Sequence, residues 1–339
     1  MKRRLLGNTG MEVSVIGLGG IPIQHVSEEI AINIILECKK QGINFIDTAK
    51  GYTVSESYIG KGLKKAGREN FYIATKAMHF NYDSMKKSIE ESLKAMEVDY
   101  IDLYQVHNVS KKQLLDEVLS ENGALKALRE AKNEGLIKHI GITGHIREIL
   151  IEAIDNDEFE TVQFPFNPIE TQGTELLTKA LNKGMGTIAM KPLAGGAFDN
   201  PLLSLNYIIN SGLITTAIPG MDSVEQVMQN AMVGIQSKPL TEEELDIINK
   251  EVESLGSEFC RRCGYCRPCP EGIDIPSVFT YENYVIRYNM PEYAKLKYNE
   301  LSIKPDACVR CRKCERKCPY NLPIVNKLKH AVETFKNLE

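Results

Sequence analysis

Residues 71–107 read FYIATKAMHFNYDSMKKSIEESLKAMEVDYIDLYQVH, a stretch in which two kinds of pattern alternate. Its ends, 71–76 and 102–107, are short and rich in β-branched and aromatic residues, as buried strands are. Between them, apolar residues recur on one helical face, at Met85, Ile89, Leu93 and Met96. A strand, a helix and a second strand in this order predict one unit of a parallel sheet.

The same alternation continues through most of the chain before residue 220. The predicted strands are 13–17, 44–47, 71–76, 102–107, 139–143, 161–166, 186–192 and 215–220. Eight such units can close into a (β/α)8 TIM barrel, which is the α/β fold class that we predict. A doubly wound open sheet is the alternative, but no G-x-G-x-x-G motif opens a helix after the first strand. Two more helices are predicted, at 222–234 and 240–255.

The composition is that of an ordinary globular protein. The 339 residues carry a formal net charge of −4, with 43% apolar and 25% charged residues, and this balance suggests neither a nucleic-acid nor a membrane partner. The basic N-terminus, MKRRLLGNTG, is interrupted before a secretory apolar segment forms, and no apolar run approaches the ~18 residues of a membrane span. We therefore expect a cytoplasmic protein.

Eight of the nine cysteines lie in the last 80 residues, in two regular runs. The second run has the bacterial ferredoxin spacing for a 4Fe-4S cluster, C-x-x-C-x-x-C-x-x-x-C-P, and the first is one residue shorter before its last cysteine. In two-cluster ferredoxins the fourth cysteine of such a run ligates the other cluster. We expect one cluster on Cys260, Cys263, Cys266 and Cys318, and the other on Cys308, Cys311, Cys314 and Cys269.

Zinc and disulfides are the alternative explanations of these runs. Paired C-x-x-C units also bind zinc, but two triplets, each trailed by Cys-Pro, leave surplus ligands on that interpretation. Because the chain is large and shows no signal peptide, metal binding is favoured over disulfide bonds. The remaining cysteine, Cys38, lies in a helix-like segment and is expected to be an inert buried thiol.

The change in composition near residue 256 predicts two domains, a barrel at 1–256 and a small, mainly helical, ferredoxin-like domain at 257–339. The tyrosine-rich insert 273–301 is expected to pack the clusters against the barrel rather than to stack nucleic-acid bases. Five cations crowd the second cysteine run: Arg310, Arg312, Lys313, Arg316 and Lys317. They are either solvated charges beside an anionic cluster or a docking surface for an acidic redox protein.

Polar residues mark the ends of three predicted strands, at Asp47, Lys76 and His107, and Tyr52 follows the first of them. Because the carboxyl ends of barrel strands form the active-site face, these side chains are expected to converge. Carbonyl reduction needs a proton donor, and a phenol with an ordinary pKa of about 10 is a sluggish acid. A neighbouring ammonium lowers that pKa, and a carboxylate holds the ammonium in place.

The ordered motifs GINFIDTAKGYTVSESYIGKGLK, FYIATK, DLYQVHN, IGITGH, VQFPFN, MKPLAGG and IPGMDSVEQVMQN resemble the aldo-keto reductase superfamily over residues 3 to about 235. The resemblance implies a catalytic tetrad of Asp47, Tyr52, Lys76 and His107. In that role Tyr52 is the general acid, tuned by Lys76 and Asp47, and His107 orients the carbonyl. The cysteine region resembles the ferredoxin-like tail of some microbial members.

The resemblance also implies NAD(P)H as cofactor, although several expected contacts are altered. Thr143 and Gly144 stand where members often have Ser-Asn, Gln163 is kept, and Met190 stands where many have a stacking tyrosine. The implied contacts are Gly19, Thr143, Gln163, Met190, Lys191, Gly220, Ser223, Gln226 and Asn230. No lysine or arginine occupies the usual 2′-phosphate positions, and barrels also bind phosphates of other cofactors there, so FMN is an alternative.

Three functions follow from these observations. The first is an oxidoreductase that reduces a small aldehyde or ketone with a nicotinamide, with two 4Fe-4S clusters for electron transfer or stability. The second places a flavin in the barrel, because a nicotinamide delivers two electrons as hydride and a cluster passes one at a time. The third is a redox-sensing binding module without turnover, against which the complete tetrad argues.

Overall fold

The computed structural model describes residues 1–256, 259–262, 264–318 and 320–338. The chain forms two compact units: Met1–Pro192 with Leu202–Thr241, and Leu193–Pro201 with Glu242–Glu339. In the described ranges, no helix is both long enough and apolar enough to cross a membrane. The predicted domain boundary, 256/257, borders residues 257 and 258, which lie outside those ranges.

Strands and helices alternate through the first unit. Its strands are β1 (Arg3–Leu5), β2 (Glu12–Ser14), β3 (Leu18–Gly19), β4 (Phe45–Asp47), β5 (Tyr72–Ala77), β6 (Ile101–Val106), β7 (Ile137–Thr143), β8 (Thr161–Pro165), β9 (Gly186–Met190) and β10 (Thr216–Ala217). Its helices are α1 (Glu28–Gln41), α2 (Ser55–Ala66), α3 (Tyr82–Met96), α4 (Lys112–Leu119), α5 (Ala124–Asn133), α6 (Arg147–Ile154), α7 (Thr174–Asn182), α8 (Pro201–Asn210) and α9 (Val224–Ile235).

Strands β3 to β10 form one parallel sheet in which each strand pairs with its sequence neighbours. Parallel bridges from Ile16 to Ala217 and from Gly19 to Gly220 join its two outer strands. At this closure Gly19 N–H donates to the Pro219 carbonyl (2.8 Å), and a Cβ on Gly19 would lie 2.7 Å from the Ile218 carbonyl oxygen. The sheet is therefore a closed (β/α)8 barrel, as predicted, and the open-sheet alternative is wrong.

The first predicted strand, 13–17, is wrong in detail. Residues Glu12–Ser14 pair antiparallel with β1, and the first barrel strand is β3. Gly7 and Gly10 have positive φ angles of 57° and 75°, which glycine adopts without steric penalty, so the chain reverses between β1 and β2. Because a run of β-branched residues does not specify its pairing partner, the sequence could not separate hairpin from barrel strand.

Helix α3 shows how local sequence produces the elements around the barrel. Asn81 begins it by accepting a hydrogen bond from Ser84 N–H (3.0 Å), and Glu97 ends it in the left-handed region (φ 53°). Of its predicted apolar face, Met85, Ile89 and Met96 are buried and Leu93 is half-buried. The helix thus covers the barrel with the face that its periodicity predicts.

The second unit is mainly helical, as predicted. Its helices are α10 (Glu242–Gly256), α11 (Ile275–Ile286), α12 (Pro291–Asn299), α13 (Lys313–Lys317) and α14 (Ile324–Lys336). The predicted insert 273–301 corresponds to α11 and α12 with their flanking turns. A core of α11 and α14 residues, including Val278, Phe279 and Leu328, lies at the centre of this unit.

Candidate functional site

Register brings the predicted polar strand ends to one edge of the barrel. Asp47 is the last residue of β4, Lys76 lies one residue from the end of β5, and His107 directly follows β6. In the ladders Gly19 pairs with Asp47, and Lys76 pairs with Gln105. Since the strands are parallel, these residues share the carboxyl-terminal face, where barrels place their active sites.

Asp47 and Lys76 form a buried ion pair. Lys76 Nζ donates to Asp47 Oδ1 and to the Thr48 carbonyl (2.8 Å). Asp47 is only 3% exposed and Lys76 only 1%. Burial lowers the pKa of Lys76, and the Asp47 charge opposes this shift in favour of the ammonium form. The carboxylate thus holds a cation where the desolvated interior would otherwise disfavour one.

Two glutamines complete the surroundings of Asp47. Gln105 Nε2 donates to Asp47 Oδ2 (3.1 Å), and Gln163 Nε2 lies 3.4 Å from Asp47 Oδ1. Both Oε1 atoms are buried and have no hydrogen-bond partner among the described residues. An unpaired buried acceptor is unfavourable, so each amide is suited to a donor that a bound molecule brings.

Gln105 and Glu56 are site residues that the sequence analysis missed. Glu56 is 4% exposed, accepts a hydrogen bond from the Thr75 hydroxyl (2.7 Å) and favours the charged form of Lys76. The available signal for Gln105 was a polar side chain inside the otherwise apolar strand DLYQV. Glu56 gave no comparable signal, because a glutamate in a helical segment is ordinarily a surface residue.

The Tyr52 ring lies next to both Lys76 and His107. Lys76 Nζ is 5.4 Å from the ring centroid, and the His107 ring meets Tyr52 edge-on, with centroids 6.2 Å apart and an interplanar angle of 88°. Tyr52 is half-buried in the loop after β4, so one side of it remains accessible. A cation beside a phenol stabilises the phenolate that forms when the proton leaves.

His107 is held in its neutral form. Burial, reinforced by the positive charges of Lys76 and Lys191, lowers its pKa to about 3. A neutral imidazole keeps one N–H donor, which can hydrogen-bond to a carbonyl oxygen without supplying a charge. The structure therefore brings together Asp47, Tyr52, Lys76 and His107.

The predicted cofactor residues lie in two groups. The first lies on barrel strands or directly after one of them: Gly19, Thr143, Gln163, Met190 and Lys191. Thr143 pairs with Gln163 in the β7–β8 ladder, but its hydroxyl already accepts a hydrogen bond from Asn108 N–H (2.9 Å). Met190 ends β9, and Lys191 follows it with a φ of 53°.

The second group lies at the loop and helix after β10. Ser223 caps α9 by accepting from Gln226 N–H (3.2 Å), and the Gln226 side chain accepts from Asp222 N–H (2.9 Å). Asn230 is buried on α9, and Gly220 is exposed at the barrel closure. This cap is an N-terminal helix turn of the kind that binds phosphates in barrels.

In the second unit, both cysteine runs pack on one hydrophobic core. Cys266 and Cys314 are buried within it, and four more pack against it: Cys260, Cys269, Cys308 and Cys318. Cys311 is exposed, and Cys263 lies outside the described residues. Thiols from two segments that are separated by residues 270–307 thus share one apolar environment, as a crossed pair of cluster sites requires.

The two cysteine runs also share a backbone conformation. In both runs the residue before the second cysteine has left-handed backbone: Arg262 and Arg310 each have a φ of 57°. The residue after that cysteine is also left-handed, Gly264 with φ 82° and Arg312 with φ 56°. Left-handed backbone residues are a component of the loops that turn backbone N–H groups toward an anionic group, as at many iron–sulfur sites. The donor set and the loops therefore fit 4Fe-4S clusters.

Each cysteine in the described ranges is a thiol, so the disulfide alternative finds no support there. Within the same ranges, no group of three or more His, Cys, Asp or Glu side chains converges closely enough to hold a single metal ion. Cys38 is fully buried in α1, and burial raises the pKa of its thiol, in keeping with an inert core residue.

Comparison with known proteins identifies both parts of the chain. Residues 15–202 match the model of the aldo/keto reductase family, and residues 259–323 match a 4Fe-4S dicluster domain. L-galactose dehydrogenase of Arabidopsis thaliana is 30% identical, over 74% of this chain and 93% of that protein. The NADH-specific methylglyoxal reductase of Escherichia coli is 28% identical, over 58% of this chain and 68% of that protein.

Solved structures agree with these matches. The holo form of aldo-keto reductase AKR11C1 from Bacillus halodurans superimposes with a TM-score of 0.64 at 25% identity, covering 74% of this chain and 96% of that one. The likeness therefore spans nearly the whole of the compared enzyme.

Proposed function

This chain belongs to the aldo/keto reductase family and carries a 4Fe-4S dicluster domain, and from this premise we propose that it reduces a small aldehyde or ketone with a nicotinamide dinucleotide. It is an oxidoreductase by family. The observation that carries the finer proposal is the buried Asp47–Lys76 pair beneath the Tyr52 ring, with neutral His107 at its edge.

In the proposed reaction Tyr52 donates its phenolic proton to the carbonyl oxygen. Lys76 stabilises the phenolate that remains, and Asp47 keeps Lys76 charged and aligned. His107 donates an N–H to the same oxygen and fixes the carbonyl orientation. The nicotinamide, when bound, supplies the hydride that the carbonyl carbon accepts.

Residues of the barrel interior would hold that cofactor. The Oε1 of Gln163, which has no hydrogen-bond partner in the part of the chain that the structure describes, is suited to the amide N–H of a nicotinamide. Thr143 and Met190 lie in the strands on either side. Gly19, Lys191, Gly220, Ser223, Gln226 and Asn230 would contact the rest of it. FMN in the same barrel is the alternative, and the cofactor released by denatured protein distinguishes the two.

The two cysteine runs would hold two 4Fe-4S clusters in the crossed arrangement, and the five cations of the second run would face an acidic redox protein. Arg310, Arg312, Lys313, Arg316 and Lys317 are all exposed, which supports a docking role. When bound, clusters exchange single electrons with such a partner.

Substitution of Tyr52 tests the proposal. With anaerobically purified protein and methylglyoxal as the carbonyl, we expect Tyr52→Phe to lower kcat for NADH or NADPH oxidation by about 10²–10⁴-fold, because the proton donor is lost. Tyr58→Phe, a control on neighbouring helix α2, should keep wild-type activity. Equal rates for Tyr52→Phe and wild type across a panel of aldehydes and ketones would show that the tetrad assignment is wrong.

A further inference from the structure

The second unit contains a cavity of about 350 Å³ that none of the preceding chemistry uses. It lies between α11 and α14, and its lining includes Phe259, Phe279, Glu282, Arg287 and Lys327. Pockets of about 300–1,000 Å³ accommodate small organic molecules. Its size therefore suits a ligand of one or two rings.

Two phenylalanine rings are part of the cavity lining. Phe259 and Phe279 are 4% and 2% exposed. The Arg287 guanidinium lies 5.3 Å from the Phe259 ring centroid, and Lys327 Nζ lies 5.7 Å from that of Phe279. Each cation is thus held against an aromatic wall, which suits a ligand that combines a ring with a negative charge.

Among the lining residues that the structure describes, Arg287 and Lys327 are basic and Glu282 is the single carboxylate. Glu282 is 3% exposed, and its Oε1 is engaged by His330 Nδ1 (2.5 Å) and the Thr334 hydroxyl (3.4 Å). Within the described residues, Arg287 makes one long hydrogen bond, 3.5 Å to the Ala194 carbonyl. Burial lowers the pKa of Arg287, so its charge is poorly solvated. An anion would relieve that desolvation through short, charge-assisted hydrogen bonds.

Cys260, a predicted cluster ligand, is part of the same lining. We propose that this cavity binds a small planar anion, an aromatic carboxylate in chemical class, next to the cluster that Cys260 ligates. Binding then places a negative charge beside the cluster and lowers its reduction potential, because potentials of these clusters follow the local charge. This site does not depend on the chemistry of Tyr52.

Holoprotein purified without oxygen can be titrated with 2-naphthoate, and with 2-naphthalenemethanol as the neutral analogue. The chain has no tryptophan, so no indole emission overlaps that of naphthoate. We expect saturable quenching by naphthoate, weakened about tenfold or more by Arg287→Gln and by Lys327→Gln. Lys329→Gln, an exposed lysine on the same helix that does not line the cavity, should change affinity by less than about twofold.

The proposal is overturned if naphthoate fails to saturate below millimolar concentration, if the neutral alcohol binds equally well, or if Lys329→Gln weakens binding as much as Lys327→Gln. If Arg287→Gln protein loses iron, the naphthoate affinities of Lys327→Gln and Lys329→Gln are compared instead. In a redox titration followed by electron paramagnetic resonance, saturating naphthoate should lower the midpoint potential of one cluster. Unchanged potentials for both clusters would contradict the location beside Cys260.

Discussion

Lys76 is a buried charge whose presence depends on its neighbours. Its ammonium is 1% exposed and bonded to Asp47, while Glu56 adds a second favourable negative charge. Removing one member of a buried pair leaves the other uncompensated, which is usually more destabilising than removing both. The pair is therefore a determinant of stability as well as of the proposed chemistry.

For this reason we expect Lys76→Met to destabilise the barrel by about 3–5 kcal/mol, because Asp47 then remains charged and buried. The double variant Asp47→Asn, Lys76→Met should recover a large part of that loss. Urea unfolding followed by far-UV circular dichroism measures both effects. Equal midpoints for single and double variants would mean that the two charges are not coupled.

His107 gives a pH prediction at the same scale. Because burial and two lysines lower its pKa from 6.5 to about 3, the folded barrel excludes a proton that the unfolded chain binds between those values. Unfolding therefore takes up a proton in that window, and stability falls as the pH drops below about 6.5. With ¹³C-labelled histidine, the His107 ring signal, assigned with His107→Gln, should not titrate between pH 8 and 5. A midpoint near 6.5 would contradict the desolvated environment.

At the scale of elements, the contact between helices α2 and α3 depends on backbone atoms, which the periodicity of apolar side chains does not describe. Helix α2 approaches the end of α3 at Gly60, where an added Cβ would lie 2.3 Å from the Met96 carbonyl oxygen. That neighbour is backbone and cannot rotate away. The sequence shows only a glycine inside a helical pattern, which is ordinarily a weak point rather than a contact.

Gly60→Ala should accordingly destabilise the protein, although alanine is the better helix former by about 1 kcal/mol. Overpacking against rigid backbone costs about 1–3 kcal/mol and outweighs that gain in most cases. Gly51→Ala is the matched control, since an added Cβ there meets nothing within 4 Å. Thermal unfolding compares the two, and a Gly60 variant as stable as wild type would show that α2 can shift.

At the scale of the whole molecule, two distant cysteine runs form one core, so their ligands can be shared. In the crossed arrangement, Cys308 and Cys318 serve different clusters. In an uncrossed arrangement they serve the same one. The sequence spacing alone leaves both arrangements open, because each run carries four cysteines.

Iron analysis of a double variant distinguishes them. Wild type should contain about eight irons per chain, and Cys308→Ala with Cys318→Ala should leave well under four if the ligands are crossed, since each cluster loses one thiolate. An uncrossed set would retain about four. Cys38→Ala, which changes a buried thiol outside both runs, should keep the wild-type content. Zinc in colourless protein would overturn the cluster assignment altogether.

What the sequence determined by itself is everything that depends on local pattern. The βαβ alternation predicted the barrel, and the cysteine spacing predicted the dicluster domain. The strand-end positions predicted that Asp47, Lys76 and His107 converge, with Tyr52 nearby. Such signals survive in a linear sequence because each is a fixed spacing along one segment.

Only the tertiary structure decided which segments meet. The hairpin pairing of residues 12–14 with β1, the amides of Gln105 and Gln163 beside Asp47, and the cavity of the second unit were not specified by local sequence pattern. A contact across the barrel depends on register and burial, which arise when the sheet closes. No spacing along the chain encodes them separately.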